Sequence, residues 1–183
     1  MTPAESTLVQ RTGLVIVVPE AEPRFGAMRR RFDPQAELGV PPHFTILFPF
    51  MPPQLVDAAV CRRLKWLFRR FSPFLCVLDR VGRFPATAYL APVHPAPFVE
   101  LTNAVAREFP EYPPYGGVHS SIHPHLTIAD GDAKAADVAE LELRADLERH
   151  GPISSQCACV KLLENSSGMW REMHEFALVG HQG

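Results

Sequence analysis

Pro42-His43-Phe44-Thr45-Ile46 returns 82 residues later as Pro124-His125-Leu126-Thr127-Ile128. A strand alternates its side chains between two faces, so in each copy the His and the Thr share one face. Phe44 and Ile46, like Leu126 and Ile128, then point the other way, toward a core. Two such strands brought side by side give a groove lined by two imidazoles and two hydroxyls.

The surroundings of the two copies suggest how they are carried. A buried strand at Leu14–Val18 is followed by a helix that Pro23 opens, with Phe25, Met28 and Phe32 at helical spacing. Asp33-Pro34 stops it, and Pro41-Pro42 leads, extended, into the first copy, which is expected to run to about Phe50. A helix over roughly 54–71 carries Val56, Val60, Leu64, Leu67 and Phe71 on one stripe. Strands are expected at 74–81 and 86–91, joined through Gly82-Arg83-Phe84-Pro85. A further helix carries Phe98, Leu101, Val105 and Phe109. A loop with Pro113-Pro114 and Gly116-Gly117 delivers the second copy. The last helix runs from about Ala133 to His150, with Asp132 as N-cap and Gly151 beyond its end. Ser155–Leu163 and Met169–Val179 close the chain as a hairpin.

About seven strands and four helices, interleaved, with one copy of the phrase in each half, imply an α+β fold. Its two sheet-plus-helix lobes are related by a pseudo-two-fold axis, within a single domain spanning 1–183.

Bulk properties bound the function. The 183 residues are 46% hydrophobic and 21% charged, an ordinary balance for a folded soluble chain. There is no apolar run of membrane-spanning length and no visible secretory segment, so a cytoplasmic protein without a membrane association is expected. The net charge of −2 argues against a protein that coats nucleic acid. The charge is uneven, however: +5 over residues 1–92 and −7 over 93–183. The basic excess sits in Arg29-Arg30-Arg31 and in Arg62, Arg63, Lys65, Arg69 and Arg70. These read first as solvated helix faces, and second as a strip guiding an RNA end. Cys61, Cys76, Cys157 and Cys159 lack metal-ligand spacing and read as small buried hydrophobes.

Histidine both takes and gives a proton near neutrality. Two of them across a groove can divide general base and general acid between an attacking and a departing oxygen, as in-line transfer at phosphorus requires. The threonine hydroxyls can donate to non-bridging phosphate oxygens. No metal or other cofactor is needed. A rival reading groups His119, His123 and His125 as zinc ligands, but no acidic or Cys partner completes the set nearby.

The doubled His-X-Thr phrase resembles the signature of the two-histidine phosphoesterases, in particular the bacterial 2′–5′ RNA ligase and RNA cyclic phosphodiesterase group. Gly82-Arg83-Phe84-Pro85 with Tyr89-Leu90, Pro114-Tyr115-Gly116-Gly117 and Trp170 extend the resemblance over essentially the whole chain. It implies metal-free opening of 2′,3′-cyclic phosphates, on RNA 3′ ends or small cyclic nucleotides, to 2′-phosphates. With an RNA 5′-hydroxyl in place of water, the reaction would join RNA ends through a 2′–5′ bond. Carried over, His43 and His125 are the acid–base pair and Thr45 and Thr127 hold the phosphate. Arg83 is a candidate for phosphate contact or a plain surface cation, and Phe84 a base-stacking or a core ring. Tyr115 belongs to a lid or to a connecting loop. Small cyclic phosphates such as ADP-ribose cyclic phosphate, and a non-catalytic nucleotide-binding protein of the same fold, remain alternatives. No obligate protein partner is implied.

Overall fold

The computed structural model describes residues 10–118 and 121–180. Two four-stranded antiparallel sheets form the frame. One has the order β2-β1-β7-β8, from β1 (Thr12–Val17), β2 (His43–Leu47), β7 (Cys159–Glu164) and β8 (Arg171–Ala177). The other has the order β5-β4-β3-β6, from β3 (Phe74–Phe84), β4 (Thr87–Pro92), β5 (Leu126–Asp130) and β6 (Ile153–Cys157). The expected α+β architecture is present, and each copy of the phrase runs into an edge strand, β2 from His43 in one sheet and β5 in the other, with His125 just ahead of its first residue.

The helices explain why those two edges meet. Helix α1 (Glu22–Phe32) joins β1 to β2, yet it packs against β5 of the other sheet. Helix α4 (Ala96–Glu108) joins β4 to β5, yet it packs against β2, with Phe98 and Phe44 ring centroids 4.2 Å apart. Helix α3 (Ala58–Phe68) backs the first sheet and α5 (Ala133–His150) the second. This reciprocal exchange is the physical content of the pseudo-two-fold relation, and it brings β2 and β5 alongside one another. Leu14, Ile16, Phe44, Ile46, Leu90, Leu126 and Ile128, all buried, face the helices.

Several expected boundaries move, each for a local reason. The helix expected over 54–71 begins only at Ala58, because the Asp57 carboxylate caps it by accepting from the Val60 N–H at 2.8 Å; Val56 lies outside it. Pro53–Leu55 forms a separate 3-10 turn. Asp33-Pro34 does stop α1, but Asp33 then caps a one-turn helix α2 (Pro34–Glu37). Strand β2 ends at Leu47 rather than near Phe50.

Gly82-Arg83-Phe84 is strand rather than connection, and only Pro85-Ala86 turns between β3 and β4. Gly82 is there because it faces Tyr89 across the pair, where a Cβ would meet the ring at 2.2 Å. The run Ser155–Leu163 is not one strand. It breaks at Ala158, where the chain leaves one sheet for the other, so Cys157 and Cys159 belong to different sheets. Cys76 and Cys157 are buried as expected, whereas Cys61 and Cys159 are only partly so. The closing hairpin is β7–β8. Asp132 caps α5 through the Ala135 N–H at 2.8 Å, and Gly151 follows that helix at φ 76°.

Arg29 corrects the reading of the basic run as a solvated face. Arg30 and Arg31 are exposed and paired with Glu22 and Glu142, but Arg29 is 2% exposed. Its guanidinium makes an ion pair with buried Asp33 at 2.7 Å. It also donates to the Val40 carbonyl at 3.0 Å and to the Thr127 carbonyl at 3.2 Å. One side chain therefore ties the lead-in of the first phrase to the backbone of the second. Arg29→Met should cost about 3–5 kcal/mol by urea denaturation, because it strands a buried carboxylate. Arg29→Met combined with Asp33→Asn should recover part of that loss, whereas an additive double mutant would dissolve the pair as a unit.

Candidate functional site

Each phrase builds the same local device. Pro42 and Pro124 hold the residue before them extended, and this presents the carbonyls of Pro41 and His123 to the imidazoles two residues on. His43 Nδ1–H donates to the Pro41 carbonyl at 2.8 Å, and His125 Nδ1–H to the His123 carbonyl at 2.6 Å. A carbonyl only accepts, so both Nδ1 atoms carry the hydrogen and both Nε2 atoms hold the lone pair of the neutral ring. The Thr45 hydroxyl donates to His43 Nε2 at 3.3 Å.

The strand register places the remaining side chains. Thr127 lies opposite Tyr89, and Tyr89 opposite Gly82, so the second phrase shares its face with Tyr89 and Phe84. The Phe84 ring stands edge-on to His125, centroids 5.3 Å apart, and Tyr89 lies 5.2 Å from the same imidazole. On the other sheet Thr45 lies opposite Val15 and His43 opposite Val17.

Two adjoining hollows result. One, of about 190 Å³, is lined by His43, Thr45 and Thr127 with Val15, Phe48 and Trp170 among its apolar walls. The other, of about 650 Å³, is lined by Phe84, Tyr115, Ser121, His123 and His125. Asp130 lines both and marks the seam.

Both imidazoles are held below the ordinary histidine value of 6.5. Burial is the main cause for His43, which falls to about 4, and the nearby Arg29 cation adds to the effect. Burial also dominates at His125, but there the Asp130 carboxylate pulls the other way and favours the imidazolium. The duplicated phrase is thus electrostatically unequal, with a cation beside one histidine and an anion beside the other.

The structure brings His43, Thr45, His125, Thr127, Phe84 and Tyr115 to the two hollows. Tyr115 sits at φ 54°, and its N–H donates to the Phe48 carbonyl at 2.9 Å, which fastens the Pro114–Gly117 turn to the end of β2. Arg83 is placed elsewhere. Strand alternation turns it to the helix face, where it pairs with Asp137 at 2.6 Å and donates to the Ala133 carbonyl at 3.1 Å. As a phosphate contact it is set aside, since the residues on either side of it, Gly82 and Phe84, take the groove face.

In the zinc reading, His119 lies outside the described residues. His123 Nε2 lies 2.8 Å from the Ser121 hydroxyl, and no group of three His, Cys, Asp or Glu side chains converges among the described residues. No helix among them is long and apolar enough to cross a membrane. Sequence reasoning missed Arg29, Asp33 and Asp130.

The sequence profile of the 2′-5′ RNA ligase superfamily matches residues 17–168. A Bacillus cytotoxicus protein bearing the name "Putative phosphoesterase" is 29% identical over 118 residues, 61% of this chain; the match covers 64% of that protein, under two thirds of its length. Escherichia coli LigT complexed with 3′-AMP shares the fold at a TM-score of 0.57 and 18% identity, covering 92% of this chain and 98% of its own. LigT complexed with ATP does so at 0.55 and 19%, covering 92% and 97%. TT0787 of Thermus thermophilus reaches 0.61 at 17% identity, covering 94% and 100%. With a family profile spanning most of its length, and with both His-X-Thr strands set edge to edge, the chain belongs to the 2′-5′ RNA ligase superfamily of two-histidine phosphoesterases.

Proposed function

We propose that the protein is a metal-independent cyclic phosphodiesterase that opens 2′,3′-cyclic phosphates, on RNA ends or nucleotides, to 2′-phosphates. The supporting observation is the matched pair of imidazoles, each with Nδ1 pinned to a backbone carbonyl two residues back, so that Nε2 is the basic nitrogen of each neutral ring. The LigT structures holding 3′-AMP, ATP and NADP+ fit a nucleotide-sized ligand in a groove of this fold.

Arg29 disfavours the cationic form of His43, and Asp130 favours that of His125. His43 is therefore the base and His125 the acid. His43 Nε2 takes a proton from water as the water oxygen bonds to phosphorus. The bond from phosphorus to O3′ breaks on the opposite side, and protonated His125 Nε2 delivers its proton to O3′. The products are a 2′-phosphomonoester and a 3′-hydroxyl. His43 leaves the step protonated and His125 neutral, and exchange with solvent restores both. The Thr45 hydroxyl, turned from His43 Nε2 toward the bound phosphate, and the Thr127 hydroxyl donate to the non-bridging oxygens as charge builds there. With an RNA 5′-hydroxyl in place of water as the nucleophile, the same opening, with loss of the phosphorus–O3′ bond, forms a 2′–5′ bond. Phe84, beside His125, supplies a ring face for the base.

His43→Ala and His125→Ala, each checked for folding by circular dichroism, should each lose about 10²–10⁴-fold in turnover of a 2′,3′-cyclic nucleotide. The double variant should lose less than the product of the two, since both residues serve one proton-transfer event. A folded single variant with wild-type turnover would end the paired-histidine mechanism.

The pH profile follows from the shifts. The base must be neutral, which fails as pH falls toward about 4 at His43, and the acid must be protonated, which fails as pH rises past the lowered His125 value. The bell of kcat/KM, whose limbs belong to the pair, should therefore peak on the acid side of pH 6.5. A maximum well above neutrality contradicts this. Chelator treatment should leave turnover unchanged, and loss of activity that zinc alone restores would favour metal chemistry.

A further inference from the structure

The groove's charge pattern bears on which cyclic phosphates enter it. All 18 Lys and Arg of the chain fall within the described residues, and none lines either hollow. Two carboxylates do, Asp33 and Asp130. Asp33 is buried and neutralised by Arg29. Asp130 is exposed, held by the Thr87 hydroxyl at 2.6 Å, and has no cationic partner among the described residues.

Three cations border the groove faces, and two of them are held in ion pairs. Arg11 lies over the Phe48 ring at the rim, 5.9 Å from its centroid. Lys161, on the groove face beside Val15, pairs with Glu172 at 2.7 Å and Glu175 at 3.3 Å, so that strip is anionic on balance. Arg80, on the face of Gly82 and Phe84, donates to the carbonyls of Pro92 and Val93 and pairs with Asp79.

The basic strip on α3 lies behind the sheet. Phe68 of that helix packs on Phe176, centroids 5.8 Å apart, and Phe176 shares the helix-facing side with Val160, Leu162 and Leu14. His43 and Thr45 occupy the other side. No cationic track leads from that strip to the histidines.

A protein that holds an RNA strand neutralises successive phosphates with Lys and Arg, and its affinity falls steeply with salt. This groove does the opposite. Building on the phosphodiesterase reading, we propose that the site selects small cyclic phosphodiesters of mononucleotide size over polyanionic RNA 3′ ends, and that Asp130 sets this preference. Its carboxylate repels a second phosphate at the seam and accepts a hydrogen bond from a sugar hydroxyl or a base amino group of the small substrate. Phe48, Trp170 and Val15 on one side and Phe84 on the other give the uncharged part of that substrate apolar surface.

The test compares kcat/KM for a nucleoside 2′,3′-cyclic monophosphate and a short oligonucleotide ending in a 2′,3′-cyclic phosphate, at about 50 and 200 mM salt. The wild-type protein should prefer the mononucleotide by about tenfold or more at low salt, the lower end of what a focused cleft field does to encounter. The oligonucleotide rate should rise with salt as repulsion is screened. Asp130→Asn should narrow the preference and flatten that salt response, and Asp130→Lys should make the oligonucleotide rate fall with salt. Because the readout is a ratio, any change in His125 common to both substrates cancels. An oligonucleotide preference in the wild-type protein, or a ratio unmoved by Asp130→Asn, overturns the proposal while leaving the phosphodiesterase reading intact. Turnover of neither substrate removes both.

Discussion

The Arg29 guanidinium is the point on which the two lobes are fixed. It is buried, paired with a buried carboxylate, and bonded to backbone on both sides of the groove. A buried ion pair is a poor source of net stability, since desolvation cancels most of the attraction. Its value lies in geometry, because a planar fork with fixed donor directions sets where the Val40 and Thr127 carbonyls stand relative to each other. Apolar packing between α1 and β5 could slide by fractions of an ångström at little cost. Three directed hydrogen bonds in a low-dielectric interior resist that slide. The proposed mechanism, with its two half-sites on different sheets, would need such a constraint, since two groups acting on one phosphate are only as well aligned as the lobes that carry them.

Much of this was legible in the sequence. The doubled phrase gave the faces of β2 and β5 correctly, because strand alternation is a property of the backbone and tolerates little exception. The pseudo-symmetric architecture followed from repetition. What sequence could not reveal was the exchange of α1 and α4 between sheets. A helix stripe says that one face is buried, but not against which partner.

Arg29 was hidden by its neighbours, because three consecutive arginines look like a solvated face. Its spacing did hold a signal, in that Arg29 falls four residues after buried Phe25 and four before Asp33, on the stripe itself. Gly82 and Arg83 misled for a related reason. A glycine and a proline close together suggest a turn, but this glycine is present to admit the Tyr89 ring, and the strand continues past it. Asp130 had a sequence clue in the comparison of the two phrases. It stands five residues after His125, where the first copy has Phe48 five after His43.

That last mismatch bears on how a symmetric scaffold would perform the asymmetric reaction proposed for it. Duplication supplies two equal imidazoles, each with the same tautomer fixed by the same carbonyl two residues back. In the proposed mechanism one serves as base and the other as acid, and a feature outside the repeated phrase would bias which takes each role. Here the separation comes from charges that the repeat does not copy, Arg29 from α1 on the His43 side and Asp130 from the end of β5 on the His125 side. The carboxylate that favours the imidazolium also lies in the open seam of the groove, so its charge acts on any ligand that enters. On the two proposals, proton placement and ligand charge are coupled at one side chain, and a change at position 130 would alter both together.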